Sequence, residues 1–393
     1  MRLSTYLLFL FVSLIFIVPL PQYWFGASSF MSGTFIFLLF FCLSCFLFVD
    51  TKINVHSYRS IIFFFLILII HFFITQFVFG EKEDFMRGMG SLIVLLFMTF
   101  CGYFFSKVIL LIKDSDFNYI VNFVLILFLF SFIGKFIPAI QNFNNVKPIL
   151  PFNEPSHYTL FLIPFAFYKV FVTTNLRIKI IYLALFAVLG ILLVNLTMLV
   201  AVLLCAGISF LKDKIVYVFL FIPIIFPFIV NNMGSSYYTE RLILSTQNNN
   251  LSTLVFIQGW QLAYESIIKT FGLGTGLQQL GYFPLDVEAR YVINKMIGKD
   301  VNLTDAGLTA PKIISEFGVL GILGLMVYLK QFKTILGRLK NTNHLKIIFA
   351  YSIFLSFSID LFIRGIGYFN PPFFLFITSL FLIFKPTHEN NIG

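Results

Sequence analysis

The segment Asn153-Glu154-Pro155-Ser156-His157 places a carboxylate, a hydroxyl and an imidazole together at the start of a helix. Proline is favoured at the first helical position, and the free N–H groups and positive dipole end of such a start suit an anion such as a phosphate. Glu154 and His157 are one turn apart and can approach the same small volume. That spacing suits a carboxylate acting as base or orienting group, with a histidine that binds or relays a proton. The plainer alternative is an N-capped helix with two polar residues at the headgroup level. Two ionisable residues at that depth are uncommon, which favours chemistry.

Other charged residues fall at similar places. Arg241 offers a planar fork that grips phosphate oxygens in two places, or else a solvated charge near lipid headgroups. Arg290, in Glu288-Ala289-Arg290-Tyr291, could do the same or pair with Glu288 or Asp286. Asn302-Leu303-Thr304-Asp305-Ala306-Gly307 leads into a helix opened by Pro311, on which Glu316 needs a partner, with Lys312 at i−4 the nearest candidate. Asp360 and Arg364 stand four apart and read first as a structural ion pair. Pro155, Pro311 and Pro371 mark three helix starts that could together form an anion trap.

Leu251–Thr270 reads as an amphipathic helix lying along a membrane surface, with Leu254, Ile257, Trp260, Leu262, Tyr264, Ile267 and Ile268 on its apolar side. It ends in Phe271-Gly272-Leu273-Gly274-Thr275-Gly276. No second helix follows this glycine run, so it is a tight turn allowing close backbone approach, not a dinucleotide fingerprint. His71 reads as a helix-packing residue and Lys135 as a side chain that can reach outward. No metal-ligand spacing is present, and no structural zinc or other cofactor is expected. Cys42 and Cys45 form C-x-x-C within an apolar run and read as packing. The N-x-S/T triplets at Asn195, Asn250 and Asn302 are not expected to carry glycans.

The elements that hold these residues are apolar. The chain has 393 residues, 59% hydrophobic and 11% charged, against about 25% charged in soluble domains. This composition predicts an all-α polytopic transmembrane bundle of about 12 spans, near 4–20, 30–49, 60–79, 88–112, 118–140, 156–172, 178–195, 197–211, 215–230, 312–330, 346–363 and 372–384. One large polar loop, 231–311, containing short amphipathic helices, divides helices 1–9 (1–230) from helices 10–12 and a C-terminal tail (312–393). The N-terminus reads as an uncleaved first helix. With both termini inside, sixteen of the 27 Lys and Arg residues lie on the inner side, and six of the remaining eleven belong to the long loop or its end. That asymmetry places the loop outside and the termini in the cytoplasm. The net charge of +10 then reflects topology and anionic lipid, not nucleic acid. The two halves do not look alike, which argues against a transporter built from repeats.

The blocks Asn153–His157, Gln258-Gly259-Trp260-Gln261-Leu262-Ala263 leading to Phe271–Gly274, and Asn302-x-x-Asp305-x-Gly307 followed by Ser315-Glu316-Phe317-Gly318 resemble the Wzy-type O-antigen polymerases. These are GT-C-like glycosyltransferases of the bacterial inner membrane. The resemblance covers the layout of the whole chain and is specific over about 141–160 and 238–320. A second large outer loop, present in some relatives, is missing. The resemblance implies that undecaprenyl-diphosphate-linked oligosaccharide repeats are joined at the periplasmic face, without a metal, in a pathway that also holds a flippase and a chain-length regulator. For that chemistry, Glu154 is the first choice for the base that the acceptor hydroxyl needs, His157 the second and Asp305 the third. Arg241, Arg364 and the Pro155 helix start would hold the diphosphate, with Arg290 in reserve, and Glu316 and Trp260 complete the substrate-binding set. An O-antigen ligase shares this layout. A lipid-linked oligosaccharide flippase would want charges along a central cavity instead.

Overall fold

Long runs without charge become helices because, away from water, every backbone N–H and C=O must be satisfied within its own segment. The computed structural model describes residues 2–27, 29–45, 59–79, 82–136, 149–210, 240–241 and 243–384; 77% is helix, and the described residues contain no strand. Helix α1 (Leu3–Val12) continues through a π turn (Ser13–Ile17) to α2 (Leu20–Phe25). There follow α3 (Met31–Cys45), α4 (Arg59–Phe79), α5 (Lys82–Leu111), α6 (Asp114–Ile133), α7 (Pro155–Val172), α8 (Leu176–Leu192) and α9 (Leu196–Ser209). Then come α10 (Leu251–Lys269), α11 (Glu288–Ile297), α12 (Thr309–Leu339), α13 (Leu345–Phe362) and α14 (Pro371–Ile383).

Six of the described helical stretches are long and apolar enough to cross a membrane: Leu3–Phe25, Ile62–Phe79, Phe85–Leu111, Asp114–Phe136, Thr309–Leu339 and Leu345–Phe362. Shorter apolar helices stand at Met31–Cys45, Leu196–Ser209 and Pro371–Ile383. Helices coincide with the described parts of the other expected spans; the expected ninth, 215–230, lies outside the described residues, as do 46–49 of the second and 137–140 of the fifth. Helix ends alternate between two poles. At one pole Asn153 Nδ2 bonds Gln22 O (3.0 Å), Lys135 Nζ bonds Leu192 O (2.9 Å) and the rings of Phe79 and Phe283 meet at 5.6 Å. At the other, Lys346 pairs with Asp114 (3.3 Å) and Lys169 Nζ bonds Asn122 Oδ1 (2.7 Å).

Phenylalanine fills the interior. Phe11 makes edge contacts with Phe105, Phe165 and Phe349 at 5.4, 5.6 and 5.8 Å, joining four helices through aromatic edges and faces. Helix α13 is buried along most of its length and packs on α7, α12 and α14. Its neighbour α7 begins at the pole where α13 ends, so residues just before the one and just after the other must be close.

The expected apolar side of α10 changes at two positions. Its buried face comprises Leu254, Val255, Gln258, Gly259, Leu262, Ala263 and Ser266, while Tyr264 and Ile268, expected on the apolar side, are exposed. The reason is close approach: a Cβ at Gly259 would overlap the Ala306 carbonyl, so small and polar residues face α12 and the loop before it. Helix α12 in turn breaks at Gly318 (φ 56°, ψ −129°), a conformation essentially confined to glycine.

Candidate functional site

Glu154 is the N-cap of α7, extended at φ −133°, ψ 144°, with Pro155 following at the first helical position. Its carboxylate makes no capping bond and points elsewhere. Oε2 lies 2.9 Å from Arg364 Nη2 and accepts from Ser156 Oγ at 2.9 Å. Arg364 is placed by the end of α13, where its N–H bonds Ile359 O (2.9 Å) and the next N–H bonds Gly307 O (3.0 Å). A Cβ at Gly365 would overlap Thr309 N, so this turn sits directly on the start of α12.

Both residues line a cavity of about 410 Å³, shared with Arg241, whose Nη2 bonds Ser252 Oγ at 3.1 Å. Four helix starts reach it: Pro155 and Ser156 of α7, Leu196 and Thr197 of α9, Ser252 and Thr253 of α10, and Gly307 and Leu308 just before α12. Positive dipole ends and two guanidinium groups thus converge on one volume. Leu193, Val200, Leu244, Val255, Phe256 and Ile363 make the rest of its wall apolar. The arrangement is suited to an anionic group joined to an apolar one.

Withdrawal from bulk water would raise the Glu154 carboxyl, but the His157 and Arg364 charges and the Ser156 hydroxyl outweigh it, holding the group below the usual carboxylate range. At rest Glu154 is therefore an ionised acceptor of hydrogen bonds and a poor proton sink.

The remaining candidates lie off the cavity wall. His157 Nε2 is 3.9 Å from Glu154 Oε2, behind it, with its ring 5.0 Å from that of Phe30. Asp305 and Glu316 belong to a neighbouring cluster around the buried Lys312, whose Nζ bonds Thr304 O (2.7 Å) and the half-exposed Asp305 Oδ1 (2.8 Å), lies 3.8 Å from the buried Glu316 Oε1 and faces the Tyr368 ring at 5.0 Å. Trp260 lies one turn beyond Phe256 on α10 and packs against the apolar core.

Two pairings and one helix start are corrected. Arg290 pairs with neither Glu288 nor Asp286 but forks onto Asp300 at 3.1 and 2.8 Å, because α11 ends in a left-handed Gly298 that turns the chain back over it. Asp360 does not pair with Arg364: it bonds Thr309 Oγ1 at the start of α12, leaving Arg364 for Glu154. Pro371 does not reach the cavity, whereas the starts of α9 and α10 do.

The sequence places helices at 197–211 and Leu251–Thr270 but does not single out their starts as part of the site, although a signal is present. Asn195-Leu196-Thr197 and Asn250-Leu251-Ser252 read as N-x-S/T triplets, yet both asparagines are N-caps, accepting from Met198 N and from Ser252 N and Thr253 N. Asn195 also donates to Thr159 Oγ1 (2.8 Å), tying α9 to α7. Among the described residues, no three His, Cys, Asp or Glu side chains converge as a metal site. No protein-family model and no curated protein matches this sequence.

Proposed function

We propose that this chain is an O-antigen polymerase: a twelve-span glycosyltransferase of the bacterial inner membrane, with both termini cytoplasmic and the 231–311 loop periplasmic. It transfers a growing glycan from undecaprenyl diphosphate to a sugar hydroxyl of the next lipid-linked unit. The observation that carries this reading is the meeting of Glu154, Arg364 and Arg241 on one cavity ringed by helix N-termini and backed by apolar side chains.

In this reading the diphosphate of the donor lies against Arg364, Arg241 and the helix starts. The bond between the sugar C1 and the diphosphate oxygen breaks, and the electron pair leaves with the diphosphate, whose charge the cavity stabilises. The acceptor hydroxyl oxygen forms the new bond to C1 and gives up its proton. A diphosphate competes with Glu154 for Arg364; as the pair loosens, the Glu154 carboxylate becomes more basic and takes that proton. His157, behind it, supports the charge. Asp305 and Glu316, held by Lys312, position the turn before α12 and do not reach the cavity wall. Its volume falls within the range of about 300–1,000 Å³ typical of small-ligand sites, so the sugars beyond the first must extend outside it.

The test is deletion of the gene, with complementation by wild type and by Glu154→Gln, followed by a lipopolysaccharide gel. Loss of the ladder, with one repeat remaining on the core and rescue by wild type alone, supports the proposal. Bare core with polymer still on its carrier would make the chain a ligase, and repeats trapped on the cytoplasmic side would make it a flippase.

A further inference from the structure

The segment joining α10 to α11 does not follow the surface. Helix α10 runs parallel to the first half of α12, with Gly259 against Ala306, Ser266 Oγ donating to Ser315 O at 2.6 Å, and Gly272 beside Gly318. The turn Phe271–Gly276 is threaded into the break in α12: Thr275 N bonds Ser315 O (2.8 Å), Gly276 N bonds Glu316 O (2.9 Å) and Val319 N bonds Gly272 O (2.9 Å). On its other side His71 Nε2 meets Leu273 O at 2.8 Å. A carbonyl only accepts, so this nitrogen carries the proton. The chain then climbs back, with Arg87 Nε on Gln278 O (3.0 Å) and Phe283 against Phe79.

Two helices measure the depth of this turn independently. Gly318 lies nine residues beyond Thr309, and His71 lies eight residues short of Phe79. At about 1.5 Å per residue the turn sits roughly 12–14 Å below the helix ends on either side. Both helices include stretches long and apolar enough to cross a membrane, and a hydrocarbon core is about 30 Å thick.

We propose that Phe271–Gly276 is a re-entrant turn inserted into the bilayer, with the Phe271 side chain in contact with lipid hydrocarbon. This does not depend on the enzymatic reading. Phe271 is 94% exposed, and the two helices that hold the turn are apolar where they face outward: Val319, whose N–H bonds Gly272 O, and Leu320 are exposed on α12, and Phe73 and Phe77 are exposed on α4, whose His71 bonds Leu273 O. A turn in water could leave its N–H groups to solvent; one in hydrocarbon cannot. Here each N–H from Phe271 to Gly276 has a protein acceptor: Ile268 O, Ile267 O, Thr270 O, Thr270 Oγ1, Ser315 O and Glu316 O in order. No charged residue occurs from Phe271 to Leu285. Lys269, just before the turn, points its ammonium to Pro284 O (3.1 Å) and Glu265 (3.3 Å), back towards the helix ends.

The test is spin labelling of the full chain, with its four cysteines replaced by alanine, in vesicles of phosphatidylethanolamine and phosphatidylglycerol. Labels are introduced by Phe271→Cys and, on exposed α11, by Tyr291→Cys. The label at 271 should be broadened by oxygen and protected from a water-soluble nickel chelate, and the label at 291 should show the reverse. Equal nickel broadening at both sites would put the turn in water, and shielding of 271 from both reagents would put it against protein; either overturns the proposal. A Phe271→Trp variant with Trp24 and Trp260 changed to Phe keeps the native cysteines and gives a second readout. Its fluorescence should be quenched by lipids brominated on the acyl chain, and absence of quenching in folded protein would refute the insertion.

Discussion

The Glu154 carboxylate and the Arg364 guanidinium, 210 residues apart in sequence, meet at 2.9 Å on the rim of a single cavity. Neither partner is fully enclosed: the side chains are 43% and 20% exposed. A pair so placed contributes little to folding and remains open to exchange with an incoming anion. Glu154→Gln and Arg364→Gln should each reduce polymer by about 10²-fold or more at equal protein level. The double variant should be no worse than the poorer single one, because the two act as a unit. Ladder intensity normalised to immunoblot measures this, and a double variant whose loss is the product of the two singles would separate the residues.

The same pair sets a pH dependence. The Glu154 carboxyl lies below its free value of 4.5 in the folded protein, so its stabilisation is complete above that value and is lost as pH falls towards the depressed native one. The Tm difference between wild type and Glu154→Gln in detergent should stay constant from about pH 8 to 5 and shrink below about 4.5. A difference that grows on acidification would contradict the sign.

Glycines at the helix break should be irreplaceable. A Cβ at Gly274 would lie 2.5 Å from both Glu316 O and Gly318 N, and one at Gly318 would overlap Gly272 O; these are backbone atoms that cannot move aside. Gly274→Ala and Gly318→Ala should each cost more than about 3 kcal/mol, since clash adds to a left-handed φ. Gly324→Ala, in the same helix with nothing nearby, should gain up to about 1 kcal/mol. Fluorescence-detected size exclusion after heating distinguishes them.

Lys312 is fully buried between Asp305 and Glu316. Lys312→Met leaves the fully buried Glu316 without its cation and should cost about 3–5 kcal/mol. Adding Glu316→Gln should recover part of that loss, as read from thermal inactivation of the detergent-solubilised protein. A double variant less stable than the single would refute this account of the cluster.

Arg290 should be dispensable. Its fork onto Asp300 lies at the surface, where such pairs contribute about 0–1 kcal/mol. Arg290→Ala should leave the ladder unchanged on the same gel that scores Glu154→Gln, and loss of the ladder would bring Arg290 into the site.

Composition and hydropathy alone determined that the chain folds as apolar helices, because a charge-free run of about 20 residues has no other stable way to satisfy its backbone in lipid. Proline and the residue before it located the start of α7, and with it Glu154, because that signal is local. Partner choice was not local. Asp360 and Arg364 have ideal spacing for a pair, yet each is captured by another helix: Arg364 by the Glu154 carboxylate at the start of α7, Asp360 by the Thr309 hydroxyl at the start of α12. The depth of Phe271 was equally hidden: a glycine run reads as a turn wherever it lies, and only its bonds to a break in α12 tell where it lies. Tertiary structure decided both, because burial and long-range hydrogen bonds depend on which helices are neighbours, and periodicity in the sequence carries no record of that.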